Sequence, residues 1–258
     1  MQRAAQYSVP AVERALTVLE ILASSRTSIS LAELTNQTGI PKSTLFRILF
    51  TLERKQYVEQ DYEKKKFDLG LKVFELGHAK IEQIDLSSIA TRYLQRLANE
   101  VQESVYLGIL DQGEVYLVQR VDSPTVWRMV TRLGHHSPAH CTAIGQVLLA
   151  NSPENEVRSF LEEHSLQKFT EYTIVTISNF KKRLANIRKQ GYAVVDREYH
   201  PELLTIAAPV RNHTKKAIAA LMIALPTSKA KNTERISELI VSIQKVSLEL
   251  SRELGYKD

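Results

Sequence analysis

Cysteine is almost absent: the 258-residue chain has one, Cys141, which excludes an intramolecular disulfide and a cysteine-rich zinc finger and points to a reducing compartment. Long apolar runs are missing too. The longest, Ala217 to Leu225, falls far short of the ~18 residues that a membrane span needs. The N-terminus opens on no apolar stretch of the signal-peptide kind, so a cytoplasmic location without a membrane anchor is expected. There is no internal repeat and no low-complexity linker. What is present is ordinary globular material, 43% hydrophobic and 24% charged, enough for one large or two smaller cores.

The net charge of +5 is modest, and its placement says more than its size. Residues 41–56 hold four cations, Lys42, Arg47, Arg54 and Lys55, against the single acid Glu53, and Lys64, Lys65 and Lys66 follow. Around them the pattern is helical. In "VPAVERALTVLEILASS", Val12, Ala15, Leu16, Leu19 and Ala23 recur at the spacing of one helix face. "SISLAELTNQTG" offers Ser30 as N-cap with Glu33 three residues on, a capping box, and Gly39 forces a turn. Pro41 then favours the first turn of "KSTLFRILFTLERK", which predicts a helix burying Leu45, Ile48, Leu49 and Leu52. Two helices across a tight glycine turn make a helix-turn-helix. The period next changes to that of strands, at Tyr57 to Glu59 and Phe67 to Leu69, with the lysines between them: a basic wing.

That order is a winged helix, and it explains the polar head of an otherwise apolar helix. A recognition helix turns its N-terminal residues to the major groove and packs its other face on the core. Lys42 and Arg47 can reach phosphates or the O6/N7 edge of guanine, Ser43 and Thr44 can donate to phosphate or base, and Phe46 can meet a thymine methyl. Arg54 and the wing lysines Lys64, Lys65 and Lys66 are placed for the backbone. Double-stranded DNA is the expected partner.

Leu71, Phe74, His78 and Ile81 continue at helical spacing as a connector, and from Asp85 the pattern is mixed α/β. An amphipathic helix with Leu86, Ala90, Tyr93, Leu97 and Val101 precedes a hairpin over "SVYLGIL", a DQG turn and "EVYLVQRV". "TVWRMVTR" predicts a further strand and "CTAIGQVLLA" a short buried helix. Ser152-Pro153 is expected to cap one helix, and Ser178 to begin another that Gly191 stops. Three strand candidates ("YAVVDREY", "LTIAAPVR", "AIAALMIAL") and a helix over Thr233 to Leu254 close the chain.

"SLAELTNQTGIPKSTLFRILFTLERKQYVEQD" resembles the DNA-binding domain of the IclR family of bacterial transcription regulators. "GHHSPAHCTAIGQVLLA" and "GYAVVDREYHPELLTIAAPVRN" are similar to that family's two effector-domain signatures. The resemblance runs nearly full length. It implies an α+β chain: a winged helix-turn-helix at 8–70, a connector helix at 71–84 and a GAF-like α/β effector-binding domain at 85–258. It also implies a homodimer, paired again into a dimer of dimers, on a near-palindromic operator, a repressor of a catabolic operon, and no catalysis and no cofactor beyond a small-molecule effector. Thr35 stands where the family has alanine.

Carried over position by position, the resemblance places the effector at Thr142, the loop amides of Ala143 and Ile144, and Gly145. The first of two acidic positions falls on Val195, with Asp196 keeping the second; Thr205 replaces a cysteine, and Met222 and Ala224 replace two serines. Losing polar groups there implies a larger, more apolar or aromatic ligand than a small hydroxy- or keto-acid, because an unpaired buried polar group costs about 1–3 kcal/mol. The alternative is a closed, ligand-free or zinc-binding C-terminal domain acting through oligomerisation. His140-Cys141 with Asp196 and His200 has the residue types of a Cys-His nucleophile, and His136, His140, Glu198 and His200 those of a zinc site, but Pro138 interrupts the His136–His140 spacing.

Overall fold

The computed structural model describes residues 9–25, 27–82, 86–123, 136–229 and 232–257. The strand expected at 125–132 and the expected junction at 84/85 lie outside them. The chain divides into two compact units, Met1–Gln83 and Ile84–Asp258. It is of α+β class. Among the described residues no helix is long and apolar enough to cross a membrane.

The first unit runs α1 (Pro10–Ser24), β1 (Ile29–Ser30), α2 (Leu31–Thr38), α3 (Lys42–Arg54), β2 (Val58–Asp61), β3 (Lys66–Leu69) and α4 (Leu71–Glu82). Ser30 closes the capping box on α2: its Oγ accepts from the Glu33 amide while the Glu33 carboxylate accepts from the Ser30 amide. Such a cap contributes ~1 kcal/mol. Gly39 ends α2 in the left-handed region at φ 66°, where a side chain would be strained, and its amide donates to Thr35. The hydroxyl of Thr35 bonds back to the Leu31 carbonyl at 2.7 Å, so the residue that replaces alanine leaves no polar group unpaired beside the turn.

Val18, Leu22, Leu34, Leu45, Leu49, Val58 and Phe67 form this unit's core, and each fully buried aliphatic side chain contributes ~1.5–3 kcal/mol. Two expectations are corrected. On α1 the buried residues are Val18 and Leu22, whereas Val12 and Leu16, from the face read as internal, are 54% and 53% exposed. The helix is apolar on two sides, and packing on α3 and β3 selects the one that periodicity did not. The wing is a three-stranded antiparallel sheet, β1-β3-β2, because Ile29–Ser30 pairs with Phe67–Lys66.

The second unit carries a six-stranded antiparallel sheet in the order β6-β5-β4-β9-β8-β7. Its strands are β4 (Ser104–Asp111), β5 (Glu114–Val121), β6 (His136–Pro138), β7 (Ala193–Asp196), β8 (Leu203–Arg211) and β9 (Ala217–Pro226). One face packs on α5 (Leu86–Val101) and α9 (Thr233–Glu253) through Leu94, Leu97, Ile206, Ile223, Leu239 and Ile243. The other packs on α6 (Ala143–Asn151), α7 (Glu154–Glu163) and α8 (Ile177–Gln190). Eight consecutive residues of α6, Ala143 to Ala150, are buried. Of the expected Ser152-Pro153 cap only the proline serves. Pro153 is the N-cap of α7 while the Ser152 Oγ bonds the Leu148 carbonyl, and α8 starts one residue before Ser178, with Thr176 as N-cap.

Candidate functional site

In the first unit α3 presents a divided surface. Leu45 and Leu49 are fully buried, while Ser43, Phe46, Arg47 and Phe50 recur at i, i+3, i+4 and i+7 along the outer face. Pro41 is the N-cap and not the first helical residue, and its carbonyl accepts from the amides of Thr44 and Leu45. Lys42 and Ser43 are exposed and Thr44 half-buried. Lys42 and Arg47 have no ion-pair partner among the described residues, so their charge faces outward uncompensated. Phe50, 52% exposed, extends the apolar strip begun by Phe46, and the sequence reading passed over it. A Phe four residues after another was available as the signal.

The wing lysines do not form one tip. Lys64 and Lys65 lie in the turn, Lys65 at φ 52°, but Lys66 is the first residue of β3, opposite Asp61. The Lys64 ammonium donates to the Asp61 carboxylate at 2.9 Å, which offsets part of its charge. Arg54 is exposed at the far end of α3, a full helix length from Lys42. The Tyr62 hydroxyl donates to Glu53 at 2.5 Å and ties the wing to α3.

In the second unit a cavity of about 310 Å³ opens between α6 and the β5, β7, β8 and β9 strands. Its apolar wall is Val115, Leu117, Ile144, Val195, Leu203 and Met222; Ser137, Cys141, Thr142, Tyr199, His200, Glu202 and Thr205 supply the polar atoms. Of the expected effector residues, Thr142, Ile144, Val195, Thr205 and Met222 therefore line this one cavity, the first two from the α6 side and the other three from the sheet. Four others lie outside it. Asp196 is on the opposite side of β7 from Val195, as strand alternation requires, and its carboxylate is held by the guanidinium of Arg197 at 2.9 and 3.1 Å. Ala224 is fully buried between Ser104 and Thr205 in the sheet. Ala143 is fully buried in the core beneath this face of the sheet, and Gly145 faces the neighbouring backbone: a Cβ there would stand 2.2 Å from the Ala139 carbonyl oxygen.

The polar groups of the cavity are not equally free. The Thr142 hydroxyl donates to the Pro138 carbonyl at 3.1 Å. The hydroxyls of Thr205, whose residue is 5% exposed, and Tyr199 have no hydrogen-bond partner among the described residues. Burial pushes the Tyr199 phenol up, so it stays a donor, and its ring packs on Phe169 at 5.3 Å. His200 Nδ1 accepts from the Glu202 amide at 3.3 Å. The sequence reading missed this "YHPEL" rim as a cavity wall, although an aromatic and a histidine directly before a proline in a loop were the visible signal.

Behind the rim the Glu198 carboxyl is 3% exposed; it accepts from Gln146 Nε2 at 2.9 Å and lies 3.4 Å from Arg183. Burial raises its pKa, against the pull of Arg183. The Thr173 hydroxyl donates to the Glu198 carbonyl at 2.6 Å and Thr170 to that of Arg197 at 2.6 Å. These bonds fasten the rim loop to residues 170–173. The network positions the wall and offers no nucleophile.

Cysteine chemistry is unsupported by the geometry. Burial pushes the Cys141 thiol up to about 12, and His140 directs Nε2 to the Gln167 carbonyl at 2.9 Å instead of to the sulfur. The zinc candidates are likewise dispersed: His136 pairs with Glu114 at 3.3 Å, His140 and Glu198 are engaged as above, and His200 is on the cavity rim. Among the described residues no group of three or more His, Cys, Asp or Glu could hold a metal ion.

Residues 78–252 match the family model of the C-terminal domain of the bacterial transcriptional regulator IclR, and residues 11–62 that of the IclR helix-turn-helix domain. The HTH-type transcriptional regulator XynR of Escherichia coli (strain K12) is 33% identical over 248 residues, 96% of this chain and 98% of that protein. KdgR of the same organism is 33% identical over 251 residues, 97% and 95%. Among solved structures, Thermotoga maritima IclR superposes with a TM-score of 0.81 at 26% identity, covering 96% of this chain and 99% of its own. An IclR homolog of Microbacterium hydrocarbonoxydans, complexed with 4-hydroxybenzoate, shares the fold with a TM-score of 0.83 at 21% identity, covering 95% and 98%.

Proposed function

The chain belongs to the IclR family of bacterial transcriptional regulators, sequence-specific DNA-binding proteins and not enzymes, and from that premise we propose a ligand-responsive repressor whose effector is a small aromatic or mainly apolar metabolite. In this reading residues 8–70 bind DNA, 71–84 connect, and 85–258 bind the effector. Arg47, with Lys42, Ser43, Thr44 and Phe46, reads bases and adjoining phosphates; Arg54 and the wing lysines contribute affinity. Thr142, Ile144, Val195, Thr205 and Met222 hold the effector. Copies of the chain pair through the exposed apolar residues of the first unit, Val12 and Leu16 on α1 and Leu71, Phe74 and Leu76 on α4, which are 52–80% exposed. A paired regulator matches a near-palindromic operator.

The observation that carries the ligand reading is the cavity itself. At about 310 Å³ it lies at the small end of the range for small-molecule sites, its surface is mainly apolar, and two hydroxyls beside it have no protein partner among the described residues. An aromatic ring would fill the aliphatic part and one hydrogen-bonding group would meet Thr205 or Tyr199. The Microbacterium homolog, of the same fold, was solved with 4-hydroxybenzoate, an aromatic hydroxy-acid. The test is a thermal-shift series with aromatic acids against short hydroxy- and keto-acids. A ligand at 100 times its Kd stabilises by ~2.7 kcal/mol, or ~5–10 °C for a unit of this size. Stabilisation by the aromatic set is expected; none by any acid would return the domain to a ligand-free role.

A further inference from the structure

Helix α8, ISNFKKRLANIRKQ, contains five cations and no acid. Phe180, Leu184 and Ile187 bury its inner side, and Arg183 turns toward the sheet, donating to the Val194 carbonyl and facing Glu198. The remaining four, Lys181, Lys182, Arg188 and Lys189, share the outer half of the helix and are exposed. Arg188 also lines an open cleft of about 640 Å³ with Lys215 and Lys216, from the turn between β8 and β9, opposite the lone acid Glu154. Arg188 spends its hydrogen bonds on the carbonyls of Ala150 and Ser152, which leaves its charge in place. None of the lysines has an ion-pair partner among the described residues.

We propose that this face, the outer side of α8 continued by the β8–β9 turn, is a second and sequence-independent contact of the protein with the DNA backbone. Charge complementarity selects the partner: four outward cations on a helix without acids, continued by Lys215 and Lys216 around a cleft whose lining holds the single acid Glu154, fit a polyanion. The other unit already holds DNA, so the tethered face meets it at high effective concentration. Lys181 to Lys189 spans ~12 Å along the helix, the rise of about three to four phosphates of one strand. The proposal rests on the DNA-binding reading of the first unit.

The test compares the full chain with its Lys181→Gln/Lys182→Gln/Lys189→Gln variant, by anisotropy over a salt series, on a short operator fragment and on the same operator with long flanks. On the flanked DNA the slope of log K against log salt should shrink by about 0.9 for each phosphate that the variant no longer neutralises, so by up to ~2.7 per chain. The short fragment should be bound alike by both proteins. Equal slopes on flanked DNA would overturn the proposal. So would an equal reduction of slope in an Arg158→Gln/Lys168→Gln/Lys245→Gln variant, which removes the same charge elsewhere on the second unit. Unchanged slopes with a smaller assembly in sedimentation would assign the face to contacts between copies instead. Failure of the unaltered protein on the short operator would remove the underlying DNA reading as well.

Discussion

Replacing Gly145 by alanine separates a ligand contact from a packing contact. An added Cβ would lie 2.2, 2.3 and 2.6 Å from the O, Cα and C atoms of Ala139, all backbone, with no rotamer to relieve the overlap. Helix α6 would have to retreat by about 1 Å from the turn of Ala139–Cys141, yet it is buried on every side. Overpacking of this kind costs ~1–3 kcal/mol, and rigid backbone argues for the upper end. The helix propensity of alanine over glycine returns at most ~1 kcal/mol. A net loss of about 2 kcal/mol remains, which lowers Tm by ~4–8 °C for a unit of this size. Scanning calorimetry of the full chain without effector would show it in the transition of residues 84–258. An unchanged or raised Tm would refute the packing argument, and weaker effector binding at full stability would return Gly145 to the ligand wall.

Thr205→Val keeps the shape and removes a hydroxyl that bonds no described residue, so denaturation midpoints should hold while effector affinity falls about 3- to 10-fold, the worth of one hydrogen bond; urea melts and calorimetric titration read the two, and equal affinity would place the ligand elsewhere. Arg47→Ala should cost ~1–3 kcal/mol of operator binding and relax preference at one position; uniform weakening across a sequence library would make it a phosphate contact. His140 is held below its ordinary 6.5 mainly by desolvation. The unfolded chain therefore binds this proton first, so the stability His140 confers is present above pH 6.5 and lost as pH falls below it. In urea melts between pH 7.5 and 5.5, His140→Asn should lose less stability than the parent, and parallel curves would refute the assignment.

What was legible in the sequence was local. Ser30 with Glu33, Gly39 and Pro41 mark α2, the turn and the start of α3 within a dozen residues, because caps and turns act over three or four positions. The hairpin of β4 and β5 and the buried helix after Thr142 were equally readable. What failed depended on distant partners. Nothing near Ile29 announces that two residues will pair with Phe67 and Lys66. The choice between the two apolar sides of α1 is made by α3 and β3. The cavity wall divides Val195 from Asp196 by strand alternation, but whether Tyr199 and His200 join it depends on where Thr170 and Thr173 fasten the loop.

Strand β8 joins the cavity to the opposite core by the same alternation. Thr205 and Leu203 line the cavity, while Leu204, Ile206, Ala208 and Val210 belong to the cluster with α5 and α9. An interior packed this closely does not absorb displacement on one side of a strand without moving the other. A ligand that shifted Thr205 would therefore press, through Ile206, on the helices beneath the sheet, and α5 is the first helix of the second unit. Such a ligand biases DNA binding only by its differential affinity for two packings of β8. The apolar replacements at Val195 and Met222 leave that difference to shape, how far a ring can spread α6 from the sheet, with Thr205 and Tyr199 fixing its orientation.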